Sequence, residues 1–139
     1  MPASSVHVDT RAAFRAALTA VAGMPTIAWE GRHYSPQRGV AFASESVRPI
    51  SSVVRAVGIG GTIAHTIILS VTLHFPPAVG TRAIEDLAGA IMEALRPGTP
   101  LVAGSSAGMI QRVERAGLEQ KPDWLTVAVT ATAVVYTQN

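Results

Sequence analysis

Between residues 62 and 75 the chain alternates with a period of two. Ile63, Ile67, Leu69, Val71, Leu73 and Phe75 share one side, and Thr66, Ser70, Thr72 and His74 share the other. That pattern predicts a long strand with one buried face, and Pro76-Pro77 ends it. Gly80-Thr81 then opens a segment in which Ile84, Leu87, Ala88, Ile91, Ala94 and Leu95 recur at the spacing of an amphipathic helix. Arg96-Pro97-Gly98 stops that helix. Upstream, Phe14, Leu18, Val21 and Ala22 predict a first helix over residues 5–22, closed by Gly23 and Pro25. A short strand is expected over 26–29 and a loop over 31–39. A strand over 40–48 comes next, terminated by Pro49. Two further strands are expected over 108–116 and 124–136, the second rich in Val and Thr.

The order helix, strands, helix, strands predicts an α+β fold, a mainly antiparallel β-sheet with two α-helices packed on one face. No repeat, low-complexity tract or linker divides the chain, so residues 1–139 are expected to form a single domain. If the last strand, uncharged from Trp124 to Asn139, stood at a sheet edge, it could pair with another chain.

Charge changes the picture. Only 14% of the 139 residues are charged, against about 25% in ordinary soluble domains. So thin an ionic coat implies that part of the outside meets other protein. The charge-free run 57–81 is broken by glycines, His65, His74, Pro76 and Pro77, which excludes a membrane-spanning helix. Asp9, Arg11 and Arg15 interrupt the alanine-rich start, which argues against a secretory leader and for a cytosolic origin. With no cysteine there is no disulfide, thiolate metal site or cysteine nucleophile. A net charge of +2, without aromatic and basic residues interleaved, is a weak nucleic-acid signal.

The search for an active site returns negatives. Gly104-Ser105-Ser106-Ala107-Gly108 fits G-x-S-x-G, but every histidine precedes it and the next segment reads as a strand, so a serine-glycine loop is expected. Gly58-Ile59-Gly60 lacks the third glycine of a dinucleotide fingerprint and leads into a strand, where backbone turning explains it better. His7, His33, His65 and His74 show no metal-ligand spacing. His65 falls on the apolar side of its strand, as a histidine bonded in the core or at an interface would. Glu85 or Asp86 suits the start of the second helix, and Arg112 and Glu114 share one side of a strand, placed to pair with each other or across a subunit boundary. No catalytic group, metal or cofactor is expected.

Residues 50–61 remain. Val53, Val54, Val57 and Ile59 sit on a glycine-tipped stretch with no sustained polar alternation. Either the stretch folds back as a core strand, or it is an arm that contacts a neighbouring copy or a partner ring. Exposure would forgo about 1.5–3 kcal/mol of burial per side chain, which favours the arm having a partner. Arg48 and Arg55 border it, as ion-pairing groups between rings or as ordinary solvated charges.

Several motifs stand in a telling order. Ile27-Ala28-Trp29-Glu30 comes after the first helix and Tyr34-Ser35-Pro36 precedes the first long strand. Gly60-Gly61-Thr62-Ile63-Ala64-His65-Thr66 enters the central strand, and Phe75-Pro76-Pro77-Ala78-Val79-Gly80-Thr81 precedes the second helix. Ala83-Ile84-Glu85-Asp86-Leu87-Ala88-Gly89-Ala90-Ile91 lies in that helix, and Trp124-Leu125-Thr126-Val127-Ala128-Val129-Thr130 opens the last strand. In this order, over nearly the whole chain, the sequence resembles the phage tail-terminator (tail-completion) family, small proteins that cap the tail tube of long-tailed bacteriophages. It departs from that family at Ile67-Ile68-Leu69 and in the alanine- and serine-rich stretch 40–52.

The resemblance implies a non-enzymatic virion protein of the tail-neck, assembled in the host cytoplasm. It implies a homohexameric ring stacked on the last ring of tail-tube protein, which halts tube growth and presents a joining face to head-tail connector and neck proteins. Genomic DNA would pass through the lumen without sequence-specific binding, and the strands would line that lumen with the helices outside. Arg48, Val53, Val54, Arg55, Val57, Ile59, Arg112 and Glu114 are the expected subunit and ring interface residues. A tail-tube or head-completion protein is the nearest alternative. A small oligomeric enzyme, with His65, Arg112 or Glu114 at a site between subunits, is the other.

Overall fold

The alternation of residues 62–75 organises the computed structural model, which describes residues 5–58, 61–103 and 106–138. Seven strands form one sheet: β1 (Thr26–Ala28), β2 (Phe42–Val54), β3 (Thr62–Phe75), β4 (Pro100–Ala103), β5 (Ser106–Arg115), β6 (Glu119–Gln120) and β7 (Leu125–Gln138). Their lateral order is β1-β2-β3-β7-β5-β4, with β6 also on β7. Every pairing is antiparallel except β1 with β2. Helices α1 (Val6–Thr19) and α2 (Arg82–Ala94) supply the second layer, giving the expected α+β class.

Period two decides what is buried. On β3, His65, Ile67, Leu69, Val71 and Leu73 are buried; their β7 partners Val135, Ala133, Ala131, Val129 and Val127 are buried too. On β2, Ala43, Glu45 and Val47 face the same way. Against this face α2 lays Ile84, Leu87, Ala88, Ile91 and Leu95, and α1 lays Val6, Phe14 and Leu18. The first helix is shorter than expected, because it ends at Thr19 and leaves Val21 half-buried and Ala22 exposed.

Three expectations at the strands need correction. Pro49 does not end β2: the strand runs on to Val54, because the register slips between Pro49 and Ser51 and a bulge at Ile50 absorbs the proline. The closing strand β7 lies in the sheet interior between β3 and β5, so it offers no edge to another chain. Strands β4 and β6 were not anticipated, being short pairings that β5 and β7 impose from outside. Of the serine-glycine motif, Gly104 and Ser105 lie outside the described residues. From Ser106 onward the chain is strand β5, and Gly108 crosses β7 so closely that an added Cβ would stand 2.7 Å from the Val134 carbonyl oxygen.

One charged cluster sits under this layer. The Glu45 side chain is wholly buried, and its Oε1 accepts from Arg15 Nη2 at 2.7 Å, from the Glu30 backbone N–H at 2.8 Å and from Arg11 Nη1 at 3.4 Å. Arg11 also pairs with Glu30 at 2.6 Å, and the Arg15 guanidinium stacks over Trp29. The cluster ties α1 to β2 and to the turn after β1. Arg11 above all, then the Val47 N–H, holds the Glu30 carboxyl below the usual carboxylate range. Glu45 Oε2 is buried without a partner, so the two guanidiniums carry the compensation for this carboxylate.

Two substitutions separate the covered face from the rest. Ile67→Ala is expected to lower unfolding stability by about 2–5 kcal/mol in a denaturant titration, whereas Val57→Ala should stay within about 0.5 kcal/mol of the parent. Glu45→Ala should cost nearer the lower end of the about 3–5 kcal/mol typical of breaking a buried pair, because Arg11 and Arg15 remain about 30% exposed and recover water.

Candidate functional site

The helices leave the other face of the sheet uncovered, and the register spells out its chemistry. Arg48, Ile68, Thr132 and Arg112 form one cross-strand row, and Ser46, Ser70, Thr130 and Glu114 form the next. Ser44, Thr72 and Ala128 make a third row, and Phe42, His74 and Thr126 a fourth. The face is therefore a field of hydroxyls and small apolar groups with charge only at its margins. Arg112 Nε meets Glu114 Oε1 at 2.8 Å with both side chains mostly exposed. Arg48 lies three strands away on the same face, about 14 Å at sheet spacing. The structure thus does not bring Arg112 and Glu114 to the arm. Nor do they converge with His65, which is buried on the opposite face.

At one end of the sheet β2 and β3 extend beyond the helices as a hairpin, with every described residue from 48 to 58 exposed. Val53 is 46% exposed, Val54 55%, Ile50 51% and Val57 96%. Val53 and Arg55 point to the open face, and Val54 to the helix side. The Arg55 and Ala56 N–H groups both bond to the Thr62 carbonyl oxygen. Gly61 closes the turn with its N–H on the Gly58 carbonyl; a side chain at Gly61 would collide with the Ala56 carbonyl oxygen. Ile59 lies outside the described residues. Ile50, missed from the sequence, joins the exposed apolar set because the bulge turns it outward.

Charge is unevenly spread. Among the described residues every carboxylate except Asp9 and Asp123 is in an ion pair, including Glu85 with Arg115. The cations left without one, Arg32, Arg38, Arg48 and Arg55, all fall between residues 32 and 55. No carboxylate occurs between Glu45 and Glu85. The hairpin is therefore both apolar and purely cationic.

Two histidines mark the ends of the sheet. Near the hairpin root, Ser52 Oγ is 2.7 Å from His65 Nδ1, and Thr137 Oγ1 is 2.8 Å from His65 Nε2. The His7 ring meets His65 edge-on at 6.1 Å. Burial first, then the His7 charge, holds the His65 pKa below the usual imidazole value. At the far end, His74 stacks on Phe42 at 4.3 Å, and Tyr34 and Trp124 complete an aromatic cluster. Burial, then Lys121, lowers the His74 pKa as well. The signal for the Glu45 cluster was present in the sequence: a carboxylate between Ala43 and Val47 on an inward-facing parity, with two arginines four residues apart on the first helix.

The described residues hold no group of three His, Asp or Glu side chains placed for a metal. A cavity of about 450 Å³ is an open groove along α1 between His7, Val8, Arg11, Ala12 and Arg15. Its arginines are already engaged by Glu30 and Glu45.

Comparisons with known proteins bear on the fold and the family. One solved structure superposes with a TM-score of 0.71 over 97% of this chain and 96% of its own, at 14% identity. A chain from the virion of a native gene transfer agent particle matches with a TM-score of 0.57 over 93% and 94%, at 18% identity. Both likenesses are of fold. No curated protein matches in sequence. The family profile described as phage tail terminator protein matches residues 9–132. With α2, all but the start of α1 and most of the sheet inside that match, the chain belongs to the phage tail terminator protein family.

Proposed function

We propose that the chain, acting as a single unit over residues 1–139, forms a homohexameric ring that caps the phage tail tube. The ring stops tube polymerisation and offers the joining surface to the head-tail connector and neck proteins, with genomic DNA passing through its lumen. The role is structural, without catalysis, in the tail-neck of the virion. The observation that carries this reading is the β2–β3 hairpin. This family member exposes Val53, Val54 and Val57 on an arm that no described part of its own fold covers. The virion origin of the gene transfer agent neighbour supports the same location.

The arm's chemistry names its counterpart. Apolar contact gives the affinity. Arg48 and Arg55, free of intramolecular ion pairs among the described residues, call for carboxylates on the facing surface of the tube ring or the neighbouring copy. Arg112 and Glu114, three strands away, would meet a different neighbour in the ring. The open hydroxyl-rich face, with its few charges, suits a lumen wall that DNA slides past without being gripped.

Size measurement by light scattering with electron microscopy is expected to show single closed rings that do not elongate. Indefinite tubes would identify a tail-tube protein instead. Val54→Asp and Val57→Asp should leave the monomer's circular dichroism and thermal midpoint unchanged. They should weaken docking to tube ends by at least about a hundredfold, or ~2.7 kcal/mol, because each would bury a carboxylate without a partner. Raising salt should weaken docking of the parent too, through screening of Arg48 and Arg55. Parent-like assembly by both variants would remove the arm from the interface.

A further inference from the structure

The arm is held at its root by a polar chain that the capping role does not itself require. Ser52 belongs to β2 just before Val53 and Val54, His65 lies on the helix-covered face of β3, and Thr137 is the penultimate residue of β7. His65 joins them at 2.7 Å and 2.8 Å through its two ring nitrogens. We propose that His65 is the positioning residue of the arm, clamping the arm's root to the end of β7 through Ser52 and Thr137, and that protonation of His65 releases that clamp. The arm's role in docking is the reading given above; the clamp itself is a property of the single chain.

A neutral imidazole offers one donor and one acceptor, and a hydroxyl can serve either, so both bonds are made whichever tautomer is present. Protonation turns both ring nitrogens into donors and forces both hydroxyls to accept. It also creates a cation on a residue that is only 4% exposed. The groups facing the ring offer no counter-charge. On α1, His7 touches it edge-on, and Arg11 in the next turn is committed to Glu30 and Glu45. Asp9 lies two positions from His7 and so on another side of the helix. On β2 the neighbour is Ser52, since Arg48 and Arg55 point to the open face. On β7 the neighbours are Val135 and Thr137, and Tyr136 points away. No described carboxylate pairs with either His7 or His65.

These surroundings set the direction of the effect. Burial and the His7 charge hold the folded-state pKa of His65 below its ordinary 6.5. The clamp is therefore fully present above that value. It is lost as the pH falls through the depressed folded pKa, where the opened form takes up the proton more readily.

The test is amide hydrogen exchange on the isolated chain, expressed as protection factors so that the intrinsic pH dependence cancels. The probe is the Arg55 N–H, bonded at 2.7 Å to the Thr62 carbonyl oxygen beyond the clamp. Its protection is expected to fall, by at most about tenfold, between about pH 7.5 and about pH 5.5, while the Val71 amide in the middle of β3 holds. His65→Gln, which keeps a hydrogen-bonding side chain but cannot titrate, should abolish that pH dependence. Ser52→Ala should show the lowered protection already at the higher pH, with the Val71 amide unaffected. His7→Phe, which keeps a ring against His65 without its charge, should shrink the pH effect. An unchanged Arg55 amide in the parent, or the same pH dependence in His65→Gln, overturns the proposal. If arm protection responds as expected while docking to tube ends is equal at both pH values, the clamp stands and the docking role of the arm falls.

Discussion

Strands Thr62–Phe75 and Leu125–Gln138 pair antiparallel along their whole length with no slip in register, each residue of one opposite a residue of the other. Because side chains alternate across a strand, that single registration divides both strands into an inward and an outward set at once. Helices α1 and α2 then have one face to cover, and they cover it with Phe14, Leu18, Ile84, Leu87 and Ile91. The neighbours β2 and β5 inherit the division through their own pairing, which is why Ala43, Val47 and Ile110 turn inward and Ser46, Arg48, Arg112 and Glu114 turn outward. A shift of one residue would expose Leu69 and Val71 and bury Ser70 and Thr72. The cost of that exchange fixes the uncovered face as firmly as the core.

An uncovered face and a projecting hairpin usually demand an ionic coat, and this chain has few charges to give. It spends most of them on each other. Glu30 and Glu45 hold Arg11 and Arg15, Glu85 holds Arg115, and Glu114 holds Arg112. The surplus cations are gathered into residues 32–55, so the molecule has a polarity that its small net charge conceals. Among the described residues, one projection thus joins exposed apolar side chains to arginines that have no ion pair.

Much of this was legible from residue order. The alternation in 62–75 and the helical spacing from Ile84 to Leu95 are strong because each is long and each ends at Pro or Gly. His65 stood out as a polar residue on an apolar parity, and its bonded, buried place follows from that parity; its partners did not, since Ser52 and Thr137 are fixed by pairing across the sheet. Pro49 misled, because a proline reads as a stop unless a bulge takes it up, and a bulge depends on the partner strand. The interior position of Leu125–Gln138 was equally hidden, as lateral strand order is set by long-range pairing. Of the expected interface residues, the hairpin set was visible as an unexplained apolar run. Arg112 and Glu114 were visible only as a pair, with nothing local to show how far from the arm they would lie.

The free edges of the sheet bear on how copies of such a chain can join. On β2 the Val47 N–H points outward and is taken by Glu30 Oε1 at 3.2 Å. The next position of the same parity is Pro49, which has no N–H to offer. Beside it the bulge at Ile50 breaks the pleat. On the other side, β4 and the backbone of Gly98 and Thr99 cover β5 as far as Ile110, and beyond it Arg112, Glu114 and Arg115 crowd the strand with charge. The uncovered stretches of β2 and β5 are thus blunted against continuing the sheet into a neighbour by main-chain pairing. Strand-to-strand addition exposes a new edge with every added strand unless the sheet closes on itself. Contacts made through side chains can instead be satisfied by a fixed number of partners.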